Sequence, residues 1–273
     1  MRHQPRKRFG QNFLQKQEVI NDILHVIGPQ PDDLMVEIGP GLGALTAPLA
    51  RALKQLHVIE LDRDLVKTLR EKHLDSNLVI HEGDALKFDF AALGGGLRAH
   101  LRVVGNLPYN ISTPLLFHLA AQIGCVRDIH VMLQKEVVER MVAAPETSAY
   151  GRLSVALQYR FDMEKVLDVG PDAFYPQPKV ESAFVRMLPR ANREPEAQDE
   201  ALFARIVTTA FSQRRKTLRN TLRNILATAD YEALGVDPGA RAETLAVSDF
   251  VRIANRVVKK QKSSPQISQM NTD

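Results

Sequence analysis

Residues 105–110 read GNLPYN, and their side chains could hold a flat molecule that carries an amino group. Asn106 offers a side-chain oxygen, Leu107 a backbone carbonyl and Tyr109 an aromatic face, while Pro108 fixes the backbone angle φ between them. The preceding run LRVV predicts a buried strand, so this turn would stand at a strand end. An ordinary loop is the alternative, because Asn and Pro are common turn formers.

The segment VEIGPGLGALT places three glycines, at positions 39, 41 and 43, between a predicted strand and a predicted helix. Glycine permits a tight turn, and its missing Cβ lets a ligand approach the backbone. Gly39, Gly41 and Ala44 also satisfy the dinucleotide pattern G-x-G-x-x-A, so the loop alone leaves two cofactor classes open. Glu37, inside the strand, favours S-adenosylmethionine over a dinucleotide.

Acidic residues end the next two predicted strands. Glu60 closes HVIE, about twenty residues after the glycine loop, where an acid can accept hydrogen bonds from ribose hydroxyls. Asp84, in HEGDAL, could accept a hydrogen bond from an adenine amino group. Capping of the following helix is the alternative for both residues. Their recurrence at successive strand ends favours a nucleoside site at the carboxyl ends of parallel strands.

Beside such a cofactor, the NLPY turn predicts methylation of an adenine N6 amine. This amine is a poor nucleophile because its lone pair is delocalised into the ring. The Asn106 oxygen and the Leu107 carbonyl could accept its two N–H groups and favour a more tetrahedral nitrogen. The lone pair would then point at the sulfonium methyl, and Tyr109 would stack on the base. Alignment, worth roughly 7–11 kcal/mol, would supply most of the acceleration, and no strong base is required.

Alternating strand and helix patterns predict an α/β fold with a seven-stranded, mostly parallel Rossmann-like methyltransferase sheet. Two β-rich stretches without an intervening helix, 165–169 and 182–188, predict an antiparallel hairpin at the sheet edge. The other five strands are predicted at LMVEI (34–38), LHVIE (56–60), LVIH (78–81), LRVVG (101–105) and IHVML (129–133).

A linker and a small all-helical C-terminal domain are predicted after the sheet. The linker is PRANREPEAQDE (189–200), rich in proline and charge, and RRKTLRNTLRNILATA (214–229) has a helical pattern. We therefore expect a methyltransferase domain at 1–190, a helical RNA-binding domain at 199–262 and a disordered tail at 263–273.

Charge is segregated along the chain, although the net charge is only +4. Residues 1–17 and 203–229 contain basic residues and no acidic ones, which leaves an acidic excess elsewhere. This pattern predicts a polyanionic partner, although a solvated basic face is the alternative. The predicted RNA-binding residues are Arg214, Arg215, Lys216, Arg219 and Arg223.

The remaining composition indicates a cytoplasmic protein. The single cysteine, Cys125, excludes an internal disulfide and fits a reducing compartment. The basic N-terminus lacks the apolar segment of a secretory signal, and no apolar run is long enough to span a bilayer. The eight histidines have no metal-ligand spacing, so we expect no metal site.

NLPY is similar to the motif of adenine-N6 methyltransferases, and the chain resembles the ribosomal RNA adenine dimethyltransferases over nearly its whole length. RKRFGQNFL (6–14), VEIGPGLG, VIELD, GDAL and GNLPYNIS follow in the order of that family. FYPQPKVESA resembles the family loop whose first aromatic, here Phe174, stacks on the target base opposite Tyr109. FSQRRKTLRNTL is similar to the small-subunit branch.

The resemblance implies S-adenosylmethionine as cofactor and dimethylation of two adjacent adenosines in a hairpin near the 3′ end of 16S rRNA. The small ribosomal subunit would be the partner, and we expect a monomer. By resemblance, cofactor contacts are assigned to Asn12, Leu14, Gly39, Glu60, Asp84 and Asn106, and the glycine loop adds Gly41.

Two other functions compete with this hypothesis. The first is a ribosome-assembly factor that binds RNA and retains a vestigial methyltransferase fold, which the intact cofactor residues disfavour as a sole role. The second is a nicotinamide-dependent oxidoreductase, which leaves both NLPY and the basic helical region unexplained.

Overall fold

The computed structural model describes residues 6, 10–72, 77–93 and 100–263, and these divide into two compact units. The first unit contains the described residues up to 142 together with 160–190. The second contains residues 143–159 and those from 191 onward. The first unit thus ends at residue 190 and lacks the segment 143–159, while the predicted domain bounds stay a prediction. Tyr150, Val155 and Tyr159 of that segment are buried in the core of the second unit.

Five parallel strands form most of the sheet in the first unit, as predicted. Each is a short, largely apolar run. The strand at 78–82 is partly exposed, and the other four are almost entirely buried. The strands are β2 (Leu34–Ile38), β3 (Leu56–Glu60), β4 (Leu78–Glu82), β5 (Leu101–Asn106) and β6 (Val126–Gln134). Pairing places β2 between β3 and β5, so the chain moves outward in opposite directions from β2 and β5.

The predicted antiparallel hairpin completes this seven-stranded sheet. β9 (Ser182–Pro189) pairs with β6 on one side and with β7 (Phe161–Val169) on the other, and β7 is the edge strand. The α/β fold class predicted from the sequence is confirmed. The observed order is β4-β3-β2-β5-β6-β9-β7.

A second, two-stranded ladder was not predicted. β1 (Phe13–Leu14) pairs antiparallel with β8 (Phe174–Tyr175), which lies in the connection between β7 and β9. Two residues are too short for a periodic pattern, so the sequence carries no strand signal here. The ladder attaches the N-terminal segment to the loop that precedes β9.

Helices cover the sheet of the first unit. α1 illustrates the local rules, because its apolar residues face the core and the helix ends at Gly28, whose φ of +53° suits a left-handed cap. The helices are α1 (Gln17–Ile27), α2 (Thr46–Ala52), α3 (Arg63–Lys72), α4 (Phe90–Leu93), α5 (Ser112–Ala121) and α6 (Lys135–Val142).

A buried ion cluster ties together the amino-terminal edge of the sheet. Arg102 is 5 % exposed, and its guanidinium contacts the carboxylates of Asp128 at 3.0 Å and Asp33 at 2.5 Å. It also donates to the backbone carbonyls of Ile27 and Gly28. Because each of the three guanidinium nitrogens finds a partner, this cluster fixes the strands at the edge opposite their carboxyl ends.

The second unit is helical, but the predicted helix over 214–229 is wrong. Only α9 (Leu218–Thr221) and the first two residues of the next helix are helical within this range, and turns flank α9. The backbone N–H groups of Leu218 and Arg219 instead donate to the carbonyls of Ala240 and Pro238. The other helices are α7 (Arg152–Gln158), α8 (Glu200–Ala210), α10 (Thr228–Leu234) and α11 (Val247–Ser263).

Two of the predictions concern residues near the ends of the chain that the structure describes only in part. α11 continues to Ser263, and the remainder of the tail predicted at 263–273 lies outside the described residues. The same is true of positions 7–9 in the RKRFGQNFL segment. In the described part of the chain, no helix has the length and apolar composition of a membrane span.

Candidate active site

A cavity of about 340 Å³ opens at the carboxyl ends of β2, β3, β4 and β5. It lies where the strand order reverses between β2 and β5, the position at which open α/β sheets bind ligands. Its volume falls within the range of small-molecule sites. It is lined by residues 10–14, 37–42, 44–45, 59–61, 65, 83–85 and 106–111.

Glu60 lies at the end of β3 with its carboxylate in the cavity wall. One oxygen accepts hydrogen bonds from the backbone N–H groups of Leu61 and Asp62, each at 2.9 Å, and the other accepts one from Gly41 at 3.3 Å. Burial raises the pKa of Glu60, and these three N–H groups oppose that rise. The carboxylate is thus held in one orientation and links the glycine loop to β3.

Glu37 is a buried acid in the cavity wall that the sequence analysis singled out without assigning it a contact. It is 2 % exposed, and its Oε2 atom has no hydrogen-bond partner within the described residues. Burial, together with the nearby Glu60 charge, raises the pKa of Glu37 to about 8, and the Thr46 hydroxyl opposes this rise. Such an atom needs a partner, and a cation in the cavity would provide one while favouring the ionised form of this carboxyl.

Asp84 follows β4 and also lines the cavity. Its carboxylate accepts a hydrogen bond from Leu86 N at 3.0 Å and caps the short 3₁₀ helix Ala85–Lys87. The capping role considered as the alternative is therefore real. It leaves the second carboxylate oxygen available to a ligand, so capping and ligand binding are compatible at this residue.

The N-terminal segment reaches the cavity through its backbone. The carbonyl of Asn12 accepts a hydrogen bond from Nδ2 of Asn106 at 2.8 Å. The segment is held by Asp62, which is 1 % exposed and accepts hydrogen bonds from Arg6 at 2.9 Å and Gln11 at 3.1 Å. The sequence analysis missed Asp62, although it is the last residue of the quoted VIELD.

The NLPY turn is fixed by backbone hydrogen bonds at its start and at its end. Its residues Asn106, Leu107 and Tyr109 are called the clamp residues. Leu107 N donates to the Met132 carbonyl on β6 at 3.1 Å, and Ile111 N donates to the Pro108 carbonyl at 3.2 Å. Because Nδ2 of Asn106 donates to the N-terminal segment, its Oδ1 atom faces away from that contact. Oδ1 has no donor among the described residues, so it is an oriented, free acceptor.

Gly105, immediately before the clamp, is required by close packing. A Cβ at this position would lie 2.5 Å from the carbonyl oxygen of Ile38 on β2, closer than side-chain carbons approach backbone. Glycine therefore lets β5 carry Asn106 close to the glycine loop.

Tyr109 is half-buried and is held at both ends. Its backbone carbonyl accepts a hydrogen bond from the Ser112 hydroxyl at 3.0 Å. Its phenol oxygen lies 2.7 Å from Oγ of Ser182, at the start of β9. Burial raises the pKa of Tyr109, so the phenol stays neutral. Ser182 was quoted within FYPQPKVESA but was not predicted to contact the site.

The predicted stacking role of Phe174 does not agree with its position in this structure. The ring is 3 % exposed and packs in the core around Leu14, its partner in the β1–β8 ladder, and Ile23. Phe174 does not line the cavity, and a ring this buried presents no face to a base. The neighbouring Tyr175 is the exposed aromatic, at 58 %.

Comparison with known proteins decides the family. The family model described as "Ribosomal RNA adenine dimethylase" matches residues 2–259. The chain belongs to this family. It is 60% identical over 256 residues to ribosomal RNA small subunit methyltransferase A of Chromobacterium violaceum, which covers 94% of this chain and 97% of that protein. The protein of the same name from Neisseria meningitidis is 53% identical over 258 residues, 94% of this chain and 98% of its own.

Solved structures give the same result. A dimethyladenosine transferase from Plasmodium falciparum superimposes with a TM-score of 0.79 at 25% identity, covering 91% of this chain and 98% of that one. The 23S rRNA methyltransferase ErmE has a TM-score of 0.69 at 26% identity, with 90% and 100% covered.

The cavity of this adenine dimethylase fits S-adenosylmethionine better than a dinucleotide. Glu37, Glu60 and Asp84 line it, and none of the described residues that line it is a lysine or arginine. S-adenosylmethionine carries a sulfonium and an ammonium, whereas a dinucleotide carries a pyrophosphate dianion. The Gly41 N–H, which could otherwise bind phosphate, donates to Glu60. The partnerless Glu37 oxygen likewise favours a cation.

The predicted RNA-binding residues lie in the second unit, and they are not equivalent. Arg214 contacts the Glu243 carboxylate at 3.4 Å and also donates to the Ser148 carbonyl. The others are exposed and make no ion pair within the described residues. They are Arg215, Lys216, Arg219 and Arg223.

Proposed function

We propose that this chain transfers methyl groups from S-adenosylmethionine to N6 of two adjacent adenosines of 16S rRNA, dimethylating each. The target is the hairpin near the 3′ end of the RNA that the family resemblance indicates. The observation that carries the proposal is the free Oδ1 acceptor of Asn106, oriented by the Asn12 carbonyl beside the acidic cavity.

The clamp residues act by holding the amine. In the first transfer, Oδ1 of Asn106 and the Leu107 carbonyl accept the two N–H groups of the adenine, and in the second only one N–H remains for them. In both, the nitrogen lone pair is directed into the cavity. Tyr109 stacks on the base, a contact worth about 1–3 kcal/mol. This stacking offsets the few kcal/mol needed to extrude a base from structured RNA. The proton leaves to solvent after transfer, so no residue needs to act as a strong base.

The acidic wall holds the cofactor. Glu60 accepts hydrogen bonds from ribose hydroxyls, Asp84 accepts one from the adenine amine, and Glu37 partners a positive group. Gly39 and Gly41 let the ligand approach the backbone, and Asn12 and Leu14 close the cavity from the N-terminal side. When bound, S-adenosylmethionine would supply a methyl group on a positively charged sulfur, so that an amine can attack the methyl carbon and the sulfur can leave as a neutral thioether.

The RNA contacts come from the second unit. Its exposed basic residues bind phosphates, which gives affinity without base specificity. The partner is the small ribosomal subunit, and the cytoplasm, where ribosomes are assembled, is the proposed location. We propose that the chain acts as a monomer.

A ribosome-assembly factor with a vestigial site is the second candidate. The oriented acceptor and the acidic cavity disfavour it as the sole function, because neither is needed for RNA binding. A combined role in methylation and assembly is compatible with both.

The test is transfer of labelled methyl from S-adenosylmethionine to small ribosomal subunits that lack these modifications. Large subunits and duplex DNA serve as controls. We expect label on adenine N6 of 16S rRNA alone. Absence of label despite binding of cofactor and RNA would instead support the assembly factor.

A further inference from the structure

Ser182 is a buried serine whose hydroxyl contacts the aromatic ring assigned to the target base. It is 0% exposed, and its Oγ lies 2.7 Å from the phenol oxygen of Tyr109, the distance of a good O–H···O hydrogen bond. Ser182 does not line the cavity. It can therefore influence the reaction only through the residues that it touches.

The position of Ser182 in the sheet makes its hydroxyl a fixed point. β9 lies between β6 and β7, and Ser182 pairs with Gln134 on one side and Val169 on the other. A serine in an exposed loop would not hold its hydroxyl in a fixed position in this way. The Tyr109 backbone, in contrast, lies in a turn.

The tyrosine ring needs this constraint because stacking depends on the orientation of its face. The backbone at Tyr109 is held by the Ser112 hydroxyl, but this contact leaves the ring free to change rotamer. The Ser182 contact fixes the far end of the ring. Two fixed ends set the direction of the long axis of the ring, and so the rotamer that presents a face to a base in the position needed for transfer.

We propose that Ser182 is a positioning residue that holds the Tyr109 ring in the rotamer needed to stack on the target adenine. The inference rests on the proposed function, in which Tyr109 stacks on the base. It assigns β9 a part in the reaction that neither the cavity nor the NLPY motif reveals. No proton transfer is involved, because the phenol and the serine hydroxyl only share a hydrogen bond.

The test is a double-mutant cycle with Ser182→Ala and Tyr109→Phe. Each substitution removes one partner of the same hydrogen bond, from β9 or from the turn. Single-turnover methyl transfer to small ribosomal subunits should fall about 2- to 12-fold in each variant, the range that one neutral hydrogen bond supplies. The double variant should be no slower than the slower single variant, whereas independent effects would multiply.

Further measurements separate positioning from loss of structure. Ser182→Thr retains the hydroxyl and should recover most of the rate. Binding of S-adenosylhomocysteine should be unchanged in Ser182→Ala. Ser154→Ala, which removes a hydroxyl from an equally buried serine in the second unit, is the matched control and should not slow transfer. Tyr109→Phe leaves β9 intact, so its rate alone still tests the hydrogen bond if Ser182→Ala is unstable.

Two outcomes would overturn the inference, and they differ from failure of the proposed function. A normal rate in Ser182→Ala, or rate losses that multiply in the double variant, would show that the two hydroxyls do not act together. An unimpaired Tyr109→Ala variant would instead remove the stacking role itself, and with it the basis of the proposed function at this residue.

Discussion

At the scale of single residues, the site depends on acceptors that are oriented before any ligand arrives. Asn106 is fixed by the Asn12 carbonyl at 2.8 Å, and Glu60 by three backbone N–H groups. Preorganised groups of this kind need no rearrangement during the reaction. Glu37 differs, because one of its oxygens is buried without a partner within the described residues.

Glu37 should make the stability of the cofactor-free protein depend on pH. Its pKa is about 8 in the folded chain and near its ordinary value of 4.5 when unfolded. Between these values only the unfolded chain loses the proton, so stability falls as pH rises. Glu37→Gln, which stays neutral, should therefore raise the melting temperature relative to the native protein at pH 8 but hardly at pH 5.

The control for this comparison is Glu18→Gln, at an exposed position on α1. Its effect should not differ between the two pH values. If Glu37→Gln changed the melting temperature equally at pH 5 and pH 8, this would contradict the burial of an uncharged carboxyl at Glu37. The same variant should bind S-adenosylmethionine more weakly, because the cation loses its partner.

At the scale of elements, the basic segment 211–224 of the second unit carries the proposed RNA contacts. Arg214 contributes to the structure through Glu243 and Ser148, so its removal would mix folding with binding. Lys216 and Arg223 instead border a polar cleft with Asn220 and Asn224. The exposed cations without ion pairs are the better test of phosphate contact.

Replacing Arg215 and Lys216 by alanine should flatten the salt dependence of RNA binding. Each lost phosphate contact lowers the slope of log K against log salt by about 0.7–0.9, so the pair should lower it by about 1.5. Arg51→Ala with Lys54→Ala, on the exposed end of α2 and the turn after it, removes the same charge elsewhere. If the slope is unaltered in the Arg215 and Lys216 variant, or changes equally in the Arg51 and Lys54 variant, the RNA-binding surface must lie elsewhere.

The elements also show what the sequence could predict. β2 and β3 have the predicted bounds because apolar runs between turn residues define them locally. The helix predicted over 214–229 failed because its backbone N–H groups find carbonyls at 238 and 240, a partner that no local pattern reveals. The β1–β8 ladder and the Arg102–Asp33 pair, 69 residues apart, are likewise long-range.

The same distinction holds for the site. Asn106, Glu60 and Asp84 were predictable because the ends of parallel strands must meet at one edge of the sheet. Ser182 was not, because it reaches Tyr109 from 73 residues away through strand order. Phe174 was assigned by resemblance, and its burial beside Leu14 depends on the unpredicted ladder.

At the scale of the whole molecule, the residues proposed for catalysis and those proposed for RNA binding lie in different units. The first holds the cavity and the clamp, and the second holds the exposed basic residues. The segment 143–159 interrupts the first unit in sequence and joins the core of the second. The chain therefore crosses between the units more than once, a connection that composition alone did not indicate.

The most direct test of the account is single-turnover methyl transfer by Asn106→Ala, measured with RNA affinity on the same preparation. Removing the oriented acceptor should slow transfer roughly 100-fold or more, as loss of a preorganised hydrogen-bonding group does. RNA affinity and melting temperature should stay close to those of Asn21→Ala, a control at an exposed asparagine of α1. Transfer at the native rate, or an equal loss of RNA affinity, would contradict the role of Asn106 as the acceptor that aligns the adenine amine.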